Sequence, residues 1–427
     1  MKETIENFKP RIVRKGKLFT KLVFSIIKWG FCSVITGIVC GLIGSAFYYC
    51  VNTATAVRTS HTWIISLLPL AGLLIVFLYR QTHMLDDGGT NRVIKSIRTE
   101  KPLPFRMAPL IFISTVITHL FGGSSGREGA ALQIGGSIGF TLGKGMRLSS
   151  KDLHIITMCG MSGVFSALFG TPITATIFSM EVISVGVLYY VAFIPCLCSS
   201  VIAYHIAAHF GIMPKTYILT NIPKVTTLRV IQVGSLAAFC AMVSVLFCVV
   251  IHKTHSLYKK KIKQPFVRAF VGGTLVIILT LLLQTYDYNG AGMDVVLRAL
   301  EGKAIFPAAF LFKILFTAIT LGAGFKGGEI VPSFFIGATF GSVVGTLLGL
   351  PAGFAAAIGL VAVFCGVVNC PIASLFLSIE LFQGEGLVLF AFACAVSYVL
   401  SGYYSLYHSQ KIVYSKIEPT YINKNTY

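Results

Sequence analysis

The sequence predicts an all-α polytopic membrane protein built from two helical halves that repeat one another in inverted orientation. Three observations carry this. The mean hydropathy is +0.81 with 12% charged residues, too apolar for a soluble domain, and 427 residues are enough for ten or more membrane crossings at roughly 20 residues each. The second half of the chain restates spacings of the first. Two glycine-dense turns, each carrying a glutamate, interrupt the apolar segments in matching places, as broken helices do around a transport site.

The chain begins with a basic tail over 1–21. Lys9, Arg11, Arg14, Lys15, Lys17, Lys21 and then Lys28 precede a long apolar stretch with no small-residue cleavage site. This reads as a cytoplasmic N-terminus and not as a signal peptide. The 35 Lys and Arg against 15 Asp and Glu give a formal charge of +20, which in a soluble protein would point to nucleic acid. Here the cations lie in the tail and loops, where the positive-inside rule accounts for them, so no nucleic-acid partner is expected.

Apolar segments fill 22–208, the first membrane repeat. A polar linker over 209–228 with Pro214, Asn221 and Pro223 follows, and a second repeat runs over 229–405. Residues 406–427 form a C-terminal helix or tail, too short for a cytoplasmic regulatory domain. The basic run His252 to Lys263 places a loop of the second half on the cytoplasmic side, with both chain ends, in a plasma or inner membrane.

The repeat is explicit. Phe165 precedes Pro172 by seven residues and Glu181 follows it by nine; Phe364, Pro371 and Glu380 keep both separations at an offset of 199. Gly135, Gly139 and Gly143 match Gly337, Gly341 and Gly345 at an offset of 202. One unit used twice, inverted across the membrane, explains the agreement. The eleven cysteines and nine histidines show no metal-ligand spacing, so neither metal nor cofactor is expected.

Four acids fall in apolar or glycine-rich context: Glu128, Glu181, Glu329 and Glu380. A carboxylate at membrane depth costs at least about 2.5–3.5 kcal/mol on insertion scales, so each needs a partner, a cavity or a proton. Glu181 and Glu380 end equivalent helices, which suits bonding the backbone N–H groups of a neighbouring segment. Glu128 and Glu329 lie on the glycine turns instead. Glycines let the backbone approach a ligand, and a helix starting near Glu128 aims its free N–H groups at an anion. A carboxylate on that turn competes for the anion's place until it is protonated. The plain alternative is a soluble-style glycine loop with a surface Glu.

These residues together resemble the CLC family of anion channels and proton-coupled anion antiporters. The resemblance is carried by GREGAALQIGG at 126–136, FSALFGTPITATIFSMEV at 165–182, GAGFKGGEIVPSFFIGA at 322–338 and FCGVVNCPIASLFLSIEL at 364–381, in the family's order and across nearly the whole chain. It implies a homodimer in the lipid bilayer with one halide pathway per subunit. It also implies inverted repeats whose broken helices meet at a midplane anion site, with the two turns pointing into one shared dry pocket. The family's external gating glutamate falls on Glu128, and its pore tyrosine, near the start of the last helix, falls on Tyr407, which is otherwise readable as an interfacial belt aromatic.

Three departures narrow the resemblance. The inner-gate serine position holds Gly88 or Gly89, leaving Thr90 as the only nearby hydroxyl, and the inner proton-transfer glutamate of chloride antiporters is replaced by Val182. GFKGGE with a proline three residues on is similar to the fluoride-exporting branch, in which the glutamate at Glu329 is a signature; that branch often carries Thr where this chain has Val331. The function implied is fluoride/proton antiport, with a chloride channel or chloride/proton exchanger of the same fold as the alternative. Anions are expected on backbone N–H groups over Gly126, Arg127, Gly129 and Ala130 and at Ile330 and Val331, near Gly88, Gly89, Thr90 and the Tyr407 hydroxyl. Glu128 and Glu329 handle protons. Lys326 either draws anions in or sits on a solvated loop. An intramembrane enzyme using Glu128 with His119 or His154 is the distant rival, and with no nucleophile in a recognised motif the protein is read as a non-enzyme.

Overall fold

The computed structural model describes residues 2–99, 101–214 and 216–427, with side chains from Thr20 onward. The side chains of Lys9, Arg11, Arg14, Lys15 and Lys17 lie outside the described residues. Sixteen α-helices follow one another as two sets of eight. The first set is α1 Lys2–Ser60, α2 Leu68–Gln81, α3 Thr90–Thr99, α4 Met107–Leu120, α5 Glu128–Gly145, α6 Ser150–Phe169, α7 Pro172–Glu181 and α8 Phe193–His209. The second is α9 Thr227–Lys261, α10 Pro265–Leu283, α11 Met293–Leu300, α12 Ala309–Ala323, α13 Ile330–Leu347, α14 Ala352–Val368, α15 Pro371–Phe382 and α16 Leu387–Leu400.

The sets match element by element for local reasons. Proline opens both α7 and α15, where its missing N–H has no intrahelical partner to lose. Both α6 and α14 end on a left-handed residue, Gly170 at φ 70° and Asn369 at φ 55°. Both α4 and α12 give way to a positive-φ glycine, Gly122 at 83° and Gly324 at 107°. Among the described residues, seven helical stretches are long and apolar enough to cross a membrane, while α4, α12, α14, α15 and α16 are shorter apolar helices of 10–17 residues.

Glycine also sets the helix packing. A Cβ on Gly160 would fall on the carbonyl oxygen of Gly135, and one on Gly359 would fall on that of Gly337. The backbones of α5 and α6, and of α13 and α14, therefore cross in direct contact. Between the halves Phe165, Phe178, Phe364 and Phe334 form a chain of rings with centroids 5.4, 5.8 and 5.3 Å apart.

The acids Glu181 and Glu380 bind the halves reciprocally. Glu380 accepts from Ile173 N at 2.9 Å and Thr174 N at 2.8 Å, and Glu181 accepts from Ile372 N at 3.2 Å and Ala373 N at 2.8 Å. Each carboxylate closes one helix and caps the start of the other, so α7 and α15 run antiparallel. That is the arrangement an inverted repeat requires.

One expectation fails at the C-terminus. Residues 411–425 form no helix: Lys411–Tyr414 and Tyr421–Asn425 pair antiparallel, and Ser184–Val185 adds in parallel to Lys411–Ile412. The stretch alternates rather than following a helical period, Ile412 is buried and Pro419 lies in the turn, all of which favour a hairpin. Tyr407 accordingly follows the last helix instead of starting it.

Candidate functional site

The two glycine turns meet. Gly126 N donates to Gly328 O and Gly328 N to Gly126 O, each at 2.7 Å, so the turns join as a two-bond antiparallel bridge. Only glycine permits it: a Cβ on Gly328 would overlap Gly129 N and lie 3.1 Å from Glu128 N. The bridge leaves the N-termini of α5 and α13 side by side, with their first N–H groups free of intrahelical partners.

Glu128 is 1% exposed. Its Oε2 accepts from Arg127 N at 2.9 Å, and Val331 at the start of α13 lines the same cavity. The side chain thus folds back onto the backbone at the start of α5. Arg127 holds it from behind, with Nε 3.8 Å from Oε1. The guanidinium is itself pinned by Asn52 Oδ1 at 2.9 Å and by the Tyr48 ring at 4.6 Å. Ala130 and Ile330 turn their side chains into the core and are fully buried, so of these two only the backbone can face a ligand.

Glu329 occupies the corresponding place on the other turn and faces the other way. An atom built as Cβ on Gly129 would be 3.2 Å from Glu329 Oε2 and 3.5 Å from Thr90 Oγ1. Arg127, Glu128 and Val331 line a cavity of about 250 Å³ beside Asn52, His119 and Phe334. Glu329, Gly88, Gly89, Thr90, Lys326 and Tyr407 line a separate one of about 370 Å³. The single shared pocket expected from the sequence is corrected here to two cavities, because the Gly126–Gly328 bridge fills the space between them. Of the two glutamates, Glu329 shares its cavity with Tyr407.

Tyr407 is held by its backbone: its N–H donates to Ser405 Oγ at 3.1 Å, and its carbonyl accepts from Thr426 Oγ1 at 2.7 Å. Its hydroxyl is buried and without a partner, which leaves it available to a ligand. Lys326 reaches into the Glu329 cavity with its ammonium 4.2 Å from the Tyr79 ring centroid, so it is not on a solvated loop. Val182 is fully buried and its carbonyl accepts from Gln410 Nε2 at 3.1 Å; this position packs and cannot titrate. His119 shares the Glu128 cavity, whereas His154 begins α6 about 22 Å from its far end, which is the end that lines that cavity.

Sequence reasoning passed over Gln133 and Ser125. Gln133 lies in α5, 4% exposed, and Ser125 Oγ is buried without a partner on the first turn. The signal for Gln133 was present as one amide in the otherwise apolar run Ala130 to Ile134.

This geometry has known relatives. A family model described as "Voltage gated chloride channel" matches residues 71–402. The chain belongs to this family. Among its CLC relatives, the "Chloride/fluoride channel protein" of Pseudomonas syringae pv. tomato is 35% identical over 398 residues, covering 92% of this chain and 88% of that protein. An H(+)/Cl(−) exchange transporter of Vibrio cholerae is 25% identical over 403 residues, covering 86% and 84%. The crystal structure of a CLC-type fluoride/proton antiporter superposes with a TM-score of 0.88 at 30% identity, over 91% of this chain and 98% of that one. A slow cyanobacterial Cl−/H+ antiporter shares the fold at a TM-score of 0.73 and 19% identity, over 87% and 94%. The chain is a CLC anion transporter, and these relatives are transporters rather than enzymes.

Proposed function

We propose that the protein exchanges fluoride for protons across a lipid bilayer, as a homodimer with one pathway per subunit. The observation that carries the reading is the pair of glutamates flanking the Gly126–Gly328 bridge, Glu128 towards one cavity and Glu329 towards the other. Each cavity thereby has its own group able to take up or release a proton, and the position of the usual inner carboxylate is an inert valine. The relatives that are named for fluoride agree with this.

The mechanism follows from the donors. Fluoride is small and holds water tightly, so a site must offer close N–H and O–H groups as the ion sheds its shell. The amides at Arg127, Glu128 and Val331 and the Tyr407 hydroxyl are such donors. While Glu128 is ionised its carboxylate occupies the amides; once protonated it no longer needs them and the anion takes its place. Glu329 passes or receives the proton on the other side.

The charge pattern supports one orientation in the membrane. Lys259 and Arg268 line the Glu329 cavity, and Arg80 and Lys259 to Lys261 lie in the last turns of α2 and α9. By the positive-inside rule that cavity opens to the cytoplasm of a plasma or inner membrane, and both chain ends lie there.

The test is efflux from liposomes containing the purified protein, followed with fluoride and chloride electrodes at matched gradients. Fluoride is expected to leave faster than chloride. Equal rates overturn the fluoride assignment and favour the chloride channel or exchanger.

A further inference from the structure

The Glu329 cavity holds polar side chains that the exchange scheme leaves idle, Gln133 among them. Gln133 lines it together with Glu329, Tyr407 and the Gly88–Thr90 turn. Its Nε2 lies 3.3 Å from Thr90 Oγ1, and Thr90 Oγ1 donates in turn to Gly129 O at 3.2 Å. Its Oε1 is buried and meets no partner. A buried amide oxygen left unpaired is costly, and here it lines the same cavity as the equally unpartnered Tyr407 hydroxyl, so two polar groups there are open to a ligand.

The amide also abuts the turn that lacks a hydroxyl. A Cβ on Gly89 would lie 3.5 Å from Gln133 Nε2 and 3.7 Å from Oε1, in ordinary contact. Rotation of the carboxamide by half a turn exchanges its ends, a soft motion for a terminal sp³–sp² torsion. Thr90 O–H then donates to Gln133 Oε1 in place of Gly129 O, and the amide N–H₂ faces the cavity. The same three groups thus have two hydrogen-bonded arrangements, one presenting an acceptor to the cavity and the other two donors.

We infer that Gln133 is a direct halide ligand of the Glu329 cavity, donating an amide N–H to the anion with Thr90 holding the carboxamide oxygen. In this role it replaces the hydroxyl that Gly88 and Gly89 do not carry. The inference rests on the anion-transport reading but not on which halide is carried.

The experiment uses the full chain in detergent and in liposomes. Titration with sodium fluoride and with sodium chloride measures equilibrium binding to wild type, Gln133→Leu and Gln133→Glu, with halide flux measured in parallel. Gln133→Leu is expected to weaken binding of the transported halide about tenfold, the loss of one hydrogen bond to a charged partner. Gln133→Glu keeps the shape but offers only acceptors when ionised; it is expected to bind no halide at neutral pH and to regain binding in acid, where its protonated carboxyl donates again. Wild-type affinity in acid for Gln133→Glu but not for Gln133→Leu at the same pH is the outcome a packing role would not produce, because Glu128 and Glu329 titrate in both variants and only the protonated carboxyl donates. Wild-type affinity in both variants, with normal wild-type flux, overturns the inference and leaves the transport reading intact. A wild-type protein that moves no halide overturns both.

Discussion

Glu128→Gln is expected to end proton-coupled exchange. The carboxylate accepts from Arg127 N and lies 3.8 Å from the Arg127 guanidinium Nε, with Val331 lining the same cavity. A glutamine fills the same volume but does not titrate, and its own N–H₂ opposes one of those donors. The side chain therefore cannot cycle between seated when charged and displaced when neutral. Arg127 keeps its bonds to Asn52 and the Tyr48 ring, so the substitution strands no guanidinium and the fold should hold. Proton movement recorded with a pH electrode during fluoride efflux is expected to fall by about a hundredfold or more, the lower range of what a positioned acid–base group contributes. Proton flux at the wild-type rate would remove Glu128 from the mechanism. The enzyme rival predicts instead a hydrolytic activity in wild type that this change removes.

Gly328→Ala is the second large effect. The added methyl would collide with Gly129 N and press on Glu128 N, both rigid backbone, so the turns must part. Overpacking of this kind costs about 1–3 kcal/mol. Separation of the bridge also leaves two buried amide groups without partners, at about 1–3 kcal/mol each. Halide flux is expected to be lost and the melting temperature in detergent to fall. Gly145→Ala is the control, since nothing lies within 4 Å of a Cβ there. It should transport normally, with stability unchanged or raised by up to about 1 kcal/mol. Normal flux in Gly328→Ala would show that the bridge does not build the site.

Much of this arrangement was legible in the residues because it is periodic. The offsets of 199 and 202 between the halves announced a repeated unit, and the equivalent places of Glu181 and Glu380 announced helix caps before any contact was visible. The glycine turns announced broken helices because so many glycines beside a carboxylate have no use in a lipid-facing segment.

What stayed hidden depends on contacts between distant parts of the chain. Nothing local in Gly126 or Gly328 says that each is the other's hydrogen-bond partner, so two cavities were read as one pocket. The C-terminal strands escaped because a five-residue strand carries little signal, and because Lys411–Ile412 pairs with Ser184–Val185 more than two hundred positions earlier. Gln133 was passed over because one amide in an apolar helix looks like packing until Thr90 and Gly89 are seen against it.

The central claim is that two titrating carboxylates flank the paired turns and that each serves its own cavity. The most direct measurement is simultaneous recording of fluoride and proton movement from liposomes carrying wild type or Glu329→Gln. Wild type is predicted to move protons against fluoride, and Glu329→Gln to lose proton movement by about a hundredfold while remaining folded. Undiminished proton movement in Glu329→Gln would contradict the account.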